Sequence, residues 1–163
     1  VSEKNRMNIL IAYVSAYGYT KEAAHLIAEG ILETKDITVD ITDIEDISLE
    51  EMESKLIMSD GLLVGSPTIN QNTLLPVYKL FAQINPIRDK GKLAGAFGSY
   101  GWSGESPNLI LESLRLLKLK IFEETAAFKF SADKNEKEYL REFGRNFAQR
   151  YIQECGHIKN PGN

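Results

Sequence analysis

"NILIAYVSAYGYT" (residues 8–20) decides the fold. Its first part, 8–14, is an apolar run with no polar alternation, which predicts a strand buried on both faces. Its second part, "SAYGYT" (15–20), is turn-forming. A helical pattern follows at once over 20–33, with Ala23, Ala24, Ile27, Ala28, Ile31 and Leu32 spaced to share one face.

The same alternation continues outward. Further strands are expected at 37–43, where Ile37, Val39 and Ile41 alternate with polar residues, and at 61–66, 92–99 and 125–130. Helices are expected at 48–56, opened by the capping box Ser48 and Glu51, and at 74–84, with Pro76 in the first turn. Another is expected at 106–117, with Ser106 as cap and Pro107 in the first helical position. The last, 135–154, carries Tyr139, Leu140, Phe143, Phe147, Ala148, Tyr151 and Ile152 on one face. Five strands alternating with five helices, without repeat or linker, make an α/β protein with a doubly wound parallel sheet. The reading is a single domain over 1–163 with its core at about 7–154.

Composition narrows the function. The 163 residues are 43% hydrophobic and 26% charged, an ordinary globular balance. A net charge of −4 speaks against nucleic acid, and the longest apolar runs are too short to span a membrane. One cysteine, Cys155, excludes an intrachain disulfide and a Cys-based metal cluster. Two histidines, His25 and His157, are too few and too far apart for a His-rich metal site. The start at Val1 and the loop-like tail "GHIKNPGN" suit a piece cut from a longer protein.

In doubly wound sheets ligands bind beyond the carboxyl ends of the strands, where the strand order reverses. The loops after the first, third and fourth strands (15–20, 66–72 and 99–105) are the most turn-rich in the chain. One such loop would be an ordinary turn; three at one edge suggest a pocket. The first leads into a helix N-terminus, where Gly18 lets the backbone curl and Ser15 and Thr20 offer hydroxyls to a phosphate. It is neither a dinucleotide fingerprint nor a nucleoside-triphosphate loop. The second is rich in amides (Asn70, Gln71, Asn72), and the third sets Tyr100 and the single Trp102 among glycines. A monophosphate with a flat aromatic ring fits this set. The loops carry no cluster of acids, bases or nucleophiles, so the ligand must bring its own chemistry, as a flavin does.

These motifs resemble the flavodoxin-like family along nearly the whole chain. More narrowly, Ser66-Pro67-Thr68-Ile69-Asn70 and Ser99-Tyr100-Gly101-Trp102-Ser103-Gly104 are similar to the ring loops of the FMN-binding module of flavodiiron proteins, the A-type flavoproteins. The resemblance implies a five-stranded sheet in the order 2-1-3-4-5 with helices on both faces. It assigns the FMN phosphate to Ser15, Ala16, Tyr17, Gly18, Tyr19 and Thr20. The ring would lie between Ser66 to Asn70 and Ser99 to Gly104, stacked on Trp102 or Tyr100. Tyr17 departs from the hydroxyl usual in free flavodoxins, so a backbone N–H or water must replace it.

The resemblance further implies an excised electron-transfer module with no metal ligands or catalytic residues of its own. In the parent oxidoreductase, FMN would feed a diiron site, on a separate domain of the same or a neighbouring subunit, that reduces oxygen or nitric oxide. Electrons would come from a reductase, a rubredoxin or a fused flavin reductase domain, in the cytoplasm or an organelle stroma. Alternatives are a free-standing flavodoxin, an FMN-dependent NAD(P)H:quinone oxidoreductase, whose ring loop has Arg where this chain has Ile69, and a response-regulator-like signalling domain. The last would need a phospho-acceptor Asp at a strand end, where Gly65 and Ser66 stand. The ring loops contain one carboxylate, Glu105, so the flavin is expected to be more easily reduced than in acidic flavodoxins.

Overall fold

The computed structural model describes residues 7–14, 19–66, 71–99, 106–128 and 134–159. Strands β1 (Met7–Tyr13), β2 (Ile37–Asp43), β3 (Gly61–Ser66), β4 (Leu93–Ser99) and β5 (Lys120–Phe128) form one parallel sheet in the order β2-β1-β3-β4-β5. Helices α1 (Tyr19–Leu32), α2 (Leu49–Met58), α3 (Gln71–Gln83), α4 (Ser106–Leu116) and α5 (Lys134–Lys159) alternate with them. The expected strand order and two-sided helical cover are both present.

The period-2 pleat explains the two cores. Ile9, Ile11 and Tyr13 of β1 pack with α1 and α5, among Ile27, Ile31, Phe143, Phe147 and Tyr151. Leu10, Ala12 and Val14 point the other way, into Met52, Leu56, Val77, Leu80, Ile110 and Leu114 of α2, α3 and α4. Apolar burial on both faces accounts for the unbroken run at 8–14. The expected cap of α2 is present: Glu51 N donates to Ser48 Oγ at 3.2 Å.

Several boundaries differ from the sequence reading. β5 starts at Lys120, not 125. Glu123 and Glu124 are exposed and hide the strand, and the β4–β5 register shifts between Ala94 and Ala96, which breaks the period. Phe122 anchors this part, with ring centroids 5.7 Å from Phe143 and 5.3 Å from Phe147. The 129–130 end of that expectation lies outside the described residues. α3 starts at Gln71 rather than 74, so Pro76 stands inside the helix and cannot donate to the Asn72 carbonyl. Ser106 is the first residue of α4 rather than its cap. α5 runs to Lys159, past the expected 154, because no proline occurs before Pro161 to stop it.

α1 and α5 approach unusually closely. A Cβ on Gly30 would lie 2.0 Å from the Arg141 carbonyl oxygen, and one on Gly144 would lie 2.1 Å from the Ile27 carbonyl oxygen. Arg141–Glu29 and Arg145–Glu33 pairs, each at 2.8 Å, flank the crossing.

At the opposite edge from the candidate loops, the α3–β4 turn is organised by buried Asp89. Its carboxylate accepts from Arg88 Nη2 at 2.8 Å and Asn85 N at 3.0 Å, and pairs with Lys92 Nζ at 2.8 Å. Burial pushes the Asp89 carboxyl up, but the hydrogen bonds from Arg88, Lys92 and the Asn85 backbone together outweigh it and hold it below the ordinary range. A carboxyl depressed on folding contributes stability above its unfolded pKa, and that contribution is lost as pH falls through the folded value. Asp89→Asn should therefore cost about 2 kcal/mol near neutral pH and progressively less in acid. Urea midpoints of both proteins at pH 7 and pH 3 check this; a mutant deficit independent of pH would contradict it.

Candidate ligand site at the sheet switch point

The carboxyl ends of β1, β3 and β4 lie in one row. Tyr13 pairs in register with Gly65, and Ser66 with Gly98, while Val14 N donates to Gly65 O at 3.0 Å. From β1 the chain passes to β2 on one side, then crosses to β3 on the other, so the order reverses between β1 and β3. That is the position where open α/β sheets receive ligands. A Cβ on Gly65 would lie 2.3 Å from the fully buried Phe97 ring, so this end of β3 has no room for a side chain.

Three loops join these strand ends to α1, α3 and α4. Ser15, Ala16, Tyr17, Gly18, Pro67, Thr68, Ile69, Asn70, Tyr100, Gly101, Trp102, Ser103 and Gly104 lie outside the described residues. The remaining candidates flank the loops. Tyr19 and Thr20 open α1, Ser66 ends β3 and is fully buried, and Ser99 ends β4. Gln71 and Asn72, expected in the loop, belong to the first turn of α3.

Thr20 is the informative residue. It is fully buried, and its Oγ1 has no hydrogen-bond partner among the described residues. A buried hydroxyl left unpaired costs about 1–3 kcal/mol. It stands in the first turn of α1, where free backbone N–H groups and the helix dipole favour negative charge. An unsatisfied buried donor at a helix N-terminus, beside a switch point, fits an anionic group as its missing acceptor. Lys21, the next residue, is exposed.

The edge is more acidic than the ring loops alone suggest. Tyr13 is buried at the end of β1, in register with Asp43. Burial, and then the charges of Asp43 and Asp46, push its hydroxyl pKa up. Sequence reading misses Tyr13, Asp43 and Asp46; the only signal for them is their place at strand ends. Among the described residues no three His, Cys, Asp or Glu side chains gather as a metal site, and no helix is long and apolar enough to cross a membrane.

This fold is a doubly wound α/β sheet with a candidate ligand site at its switch point. The flavodoxin family profile matches residues 11–144, and the chain belongs to that family. It is 38% identical over 142 residues to the flavo-diiron protein FprA2 of Clostridium acetobutylicum, covering 86% of this chain and 36% of that protein. It is 37% identical over 140 residues to the type A flavoprotein fprA of Rhodobacter capsulatus, covering 86% of this chain and 32% of that one. The chain thus spans about a third of the length of the curated relatives it matches (36% and 32%). Among solved structures, the Flv1 flavodiiron core of Synechocystis sp. superposes with a TM-score of 0.77 at 27% identity, covering 93% of this chain and 38% of that one. A flavodoxin from the domain Archaea superposes with a TM-score of 0.72 at 30% identity, covering 89% of this chain and 99% of that one.

Proposed function

We propose that this chain is the FMN-binding electron-transfer module of a flavodiiron-type oxidoreductase. The unpartnered, buried Thr20 hydroxyl at the α1 N-terminus carries the reading, since it needs an acceptor such as a phosphate oxygen. Relatives named flavo-diiron protein and type A flavoprotein support it. Thr20, with Ser15 and the α1 backbone, would hold the phosphate. Residues 66–70 and 99–104 would enclose the ring and exclude water. Bound FMN would supply one- and two-electron transfer; the protein's part is to bind, orient and shield it. In the longer parent, the electrons would go to a diiron site on another domain that reduces oxygen or nitric oxide. A reductase, a rubredoxin or a fused flavin reductase domain would supply them, in the cytoplasm or an organelle stroma.

A free-standing flavodoxin is the second reading, favoured by the archaeal flavodoxin that this chain matches over 99% of that protein's length. Sequencing the gene beyond both ends separates the two.

The cofactor is tested by heat extraction and chromatography of the purified yellow protein. FMN is expected as the main species, because one helix N-terminus with one unpaired hydroxyl suits one phosphate. Recovery of FAD as the main species, or of no flavin after reconstitution, overturns the assignment.

A further inference from the structure

The amino-terminal edge of the sheet lies opposite the candidate ligand site. The turns that lead into β3, β4 and β5 stand side by side there, because Gly61 pairs in register with Leu93 and Leu93 with Lys120. Each turn presents one large aliphatic side chain to solvent: Met58 at 73% exposure, Ile87 at 90% and Leu116 at 76%. Met58 ends α2, Leu116 ends α4 and Ile87 follows α3, so all three project from helices that cover one face of the sheet.

The turns are braced against one another. Lys92 Nζ donates to Leu56 O at 2.7 Å, Gly91 N to Lys118 O at 3.1 Å and Lys120 N to Lys92 O at 2.9 Å. The Ile87 tip is itself fixed: Asn85 Oδ1 accepts from Ile87 N at 2.9 Å and from Arg88 N at 3.1 Å. Polar bonds thus hold an aliphatic side chain out in water, an arrangement that marks an interaction surface.

The charge of this edge is opposite to that of the chain. Residues 57–60, 84–92 and 115–120 hold six lysines and arginines against two carboxylates, in a protein of net charge −4. Helix ends explain part of this, since cations there complement the dipole. Arg88 and Lys92 are taken up by Asp89, Arg115 by Glu112 and Lys120 by Glu154. Lys90 and Lys118 are exposed and make no ion pair among the described residues. Lys118 stands at φ 71, where glycine or asparagine is usual after a helix, so backbone strain is accepted to place a lysine there.

We propose that this edge docks the protein on an anionic lipid bilayer. Met58, Ile87 and Leu116 enter the headgroup layer, and the ammonium groups of Lys90 and Lys118 meet lipid phosphates. A protein partner fits less well. Interface hot spots favour Trp, Tyr and Arg, whereas these turns contain no aromatic residue and both their arginines are already paired. Docked in this way, the carboxyl edge and its candidate site face the water.

The test pellets the purified protein with vesicles of phosphatidylcholine alone, or mixed equally with phosphatidylglycerol. The mixed vesicles should bind at least about tenfold more tightly, and added salt should weaken that binding. Lys90→Glu with Lys118→Glu, and separately Ile87→Ser with Leu116→Ser, should each lower vesicle affinity by about tenfold or more. All four residues are exposed, so melting by circular dichroism should be unchanged. In nanodiscs of the mixed lipids carrying a nitroxide headgroup, the amide signals of Met58, Ile87 and Leu116 should broaden first, and those of Asp43 and Glu45 last. Equal binding to both vesicle types, unchanged binding by either variant, or broadening centred on the carboxyl edge overturns the proposal. Binding of polyglutamate in place of vesicles also overturns it, and makes the occupant an acidic protein. No readout uses flavin, so the result is independent of whether FMN is recovered.

Discussion

Gly30→Ala is expected to lower the stability of this protein by roughly 3 kcal/mol, the upper range for overpacking a tight interior contact. Two effects oppose each other. Alanine is the better helix former by about 1 kcal/mol. Its Cβ, however, would stand 2.0 Å from the Arg141 carbonyl oxygen, where ordinary contact begins near 3.4 Å. The obstacle is backbone of α5, which cannot rotate away as a side chain would. α5 would have to move by more than 1 Å, and Phe143, Phe147 and Tyr151 are all packed beneath it in the same core. The steric effect therefore exceeds the propensity gain. Gly144→Ala meets the Ile27 carbonyl oxygen at 2.1 Å and should cost about as much. The double substitution should cost less than the sum, because one displacement of the helix relieves both clashes. Thermal unfolding by circular dichroism should show each single variant melting roughly 6–12 °C early. A melting temperature unchanged for both would mean that the two helices do not touch backbone to backbone.

Thr20→Val should separate cofactor binding from folding. Valine keeps the branched shape of threonine and removes the hydroxyl that lacks a partner. If that hydroxyl donates to the FMN phosphate, its loss removes a hydrogen bond to a charged group, about 1.5–3 kcal/mol, so the Kd for FMN rises tenfold or more. Riboflavin has no phosphate, and its Kd should stay nearly constant. The flavin-free protein should be no less stable, since a buried unsatisfied donor has been deleted rather than a bonded one. Thr20→Ala should show the same flavin discrimination with some added loss of packing, because Thr20 is fully buried. Isothermal titration with both flavins, and urea unfolding of the flavin-free variants, make the comparison. Equal losses for FMN and riboflavin would return Thr20 to a purely structural role.

The sequence by itself determined the architecture. The unbroken apolar run at 8–14 required burial on both faces, and only a sheet covered on two sides supplies that. Helical spacing in α1 and α5, and the Ser48/Glu51 cap of α2, are likewise local facts that survive folding unchanged. Loop residue types point to the switch-point edge, and through resemblance to the family that the profile match supports. Sequence fails where local pattern and tertiary demand diverge. Glu123 and Glu124 hide the first half of β5, since an exposed acidic pair breaks apolar alternation while Phe122 still anchors the strand. The apolar stripe of α5 ends before the helix does, so spacing alone stops short of Lys159.

Only the tertiary structure decided what the site offers beyond its loops. That Thr20 is both buried and unpaired depends on everything packed around it, and no spacing rule reveals it. Gly30 and Gly144 look like poor choices in helices until the carbonyls of Arg141 and Ile27 are seen against them. Asp43, Glu45 and Asp46 read as an ordinary polar turn after a strand. Parallel pairing of β1 with β2 carries them to the same edge as Tyr13 and the start of α1. Their field therefore has to be counted against the easily reduced flavin expected from the ring loops. Residue types and periods are local and can be read one segment at a time. Burial, missing partners and summed charge belong to atoms brought together from distant segments, and those appear only once the sheet has assembled.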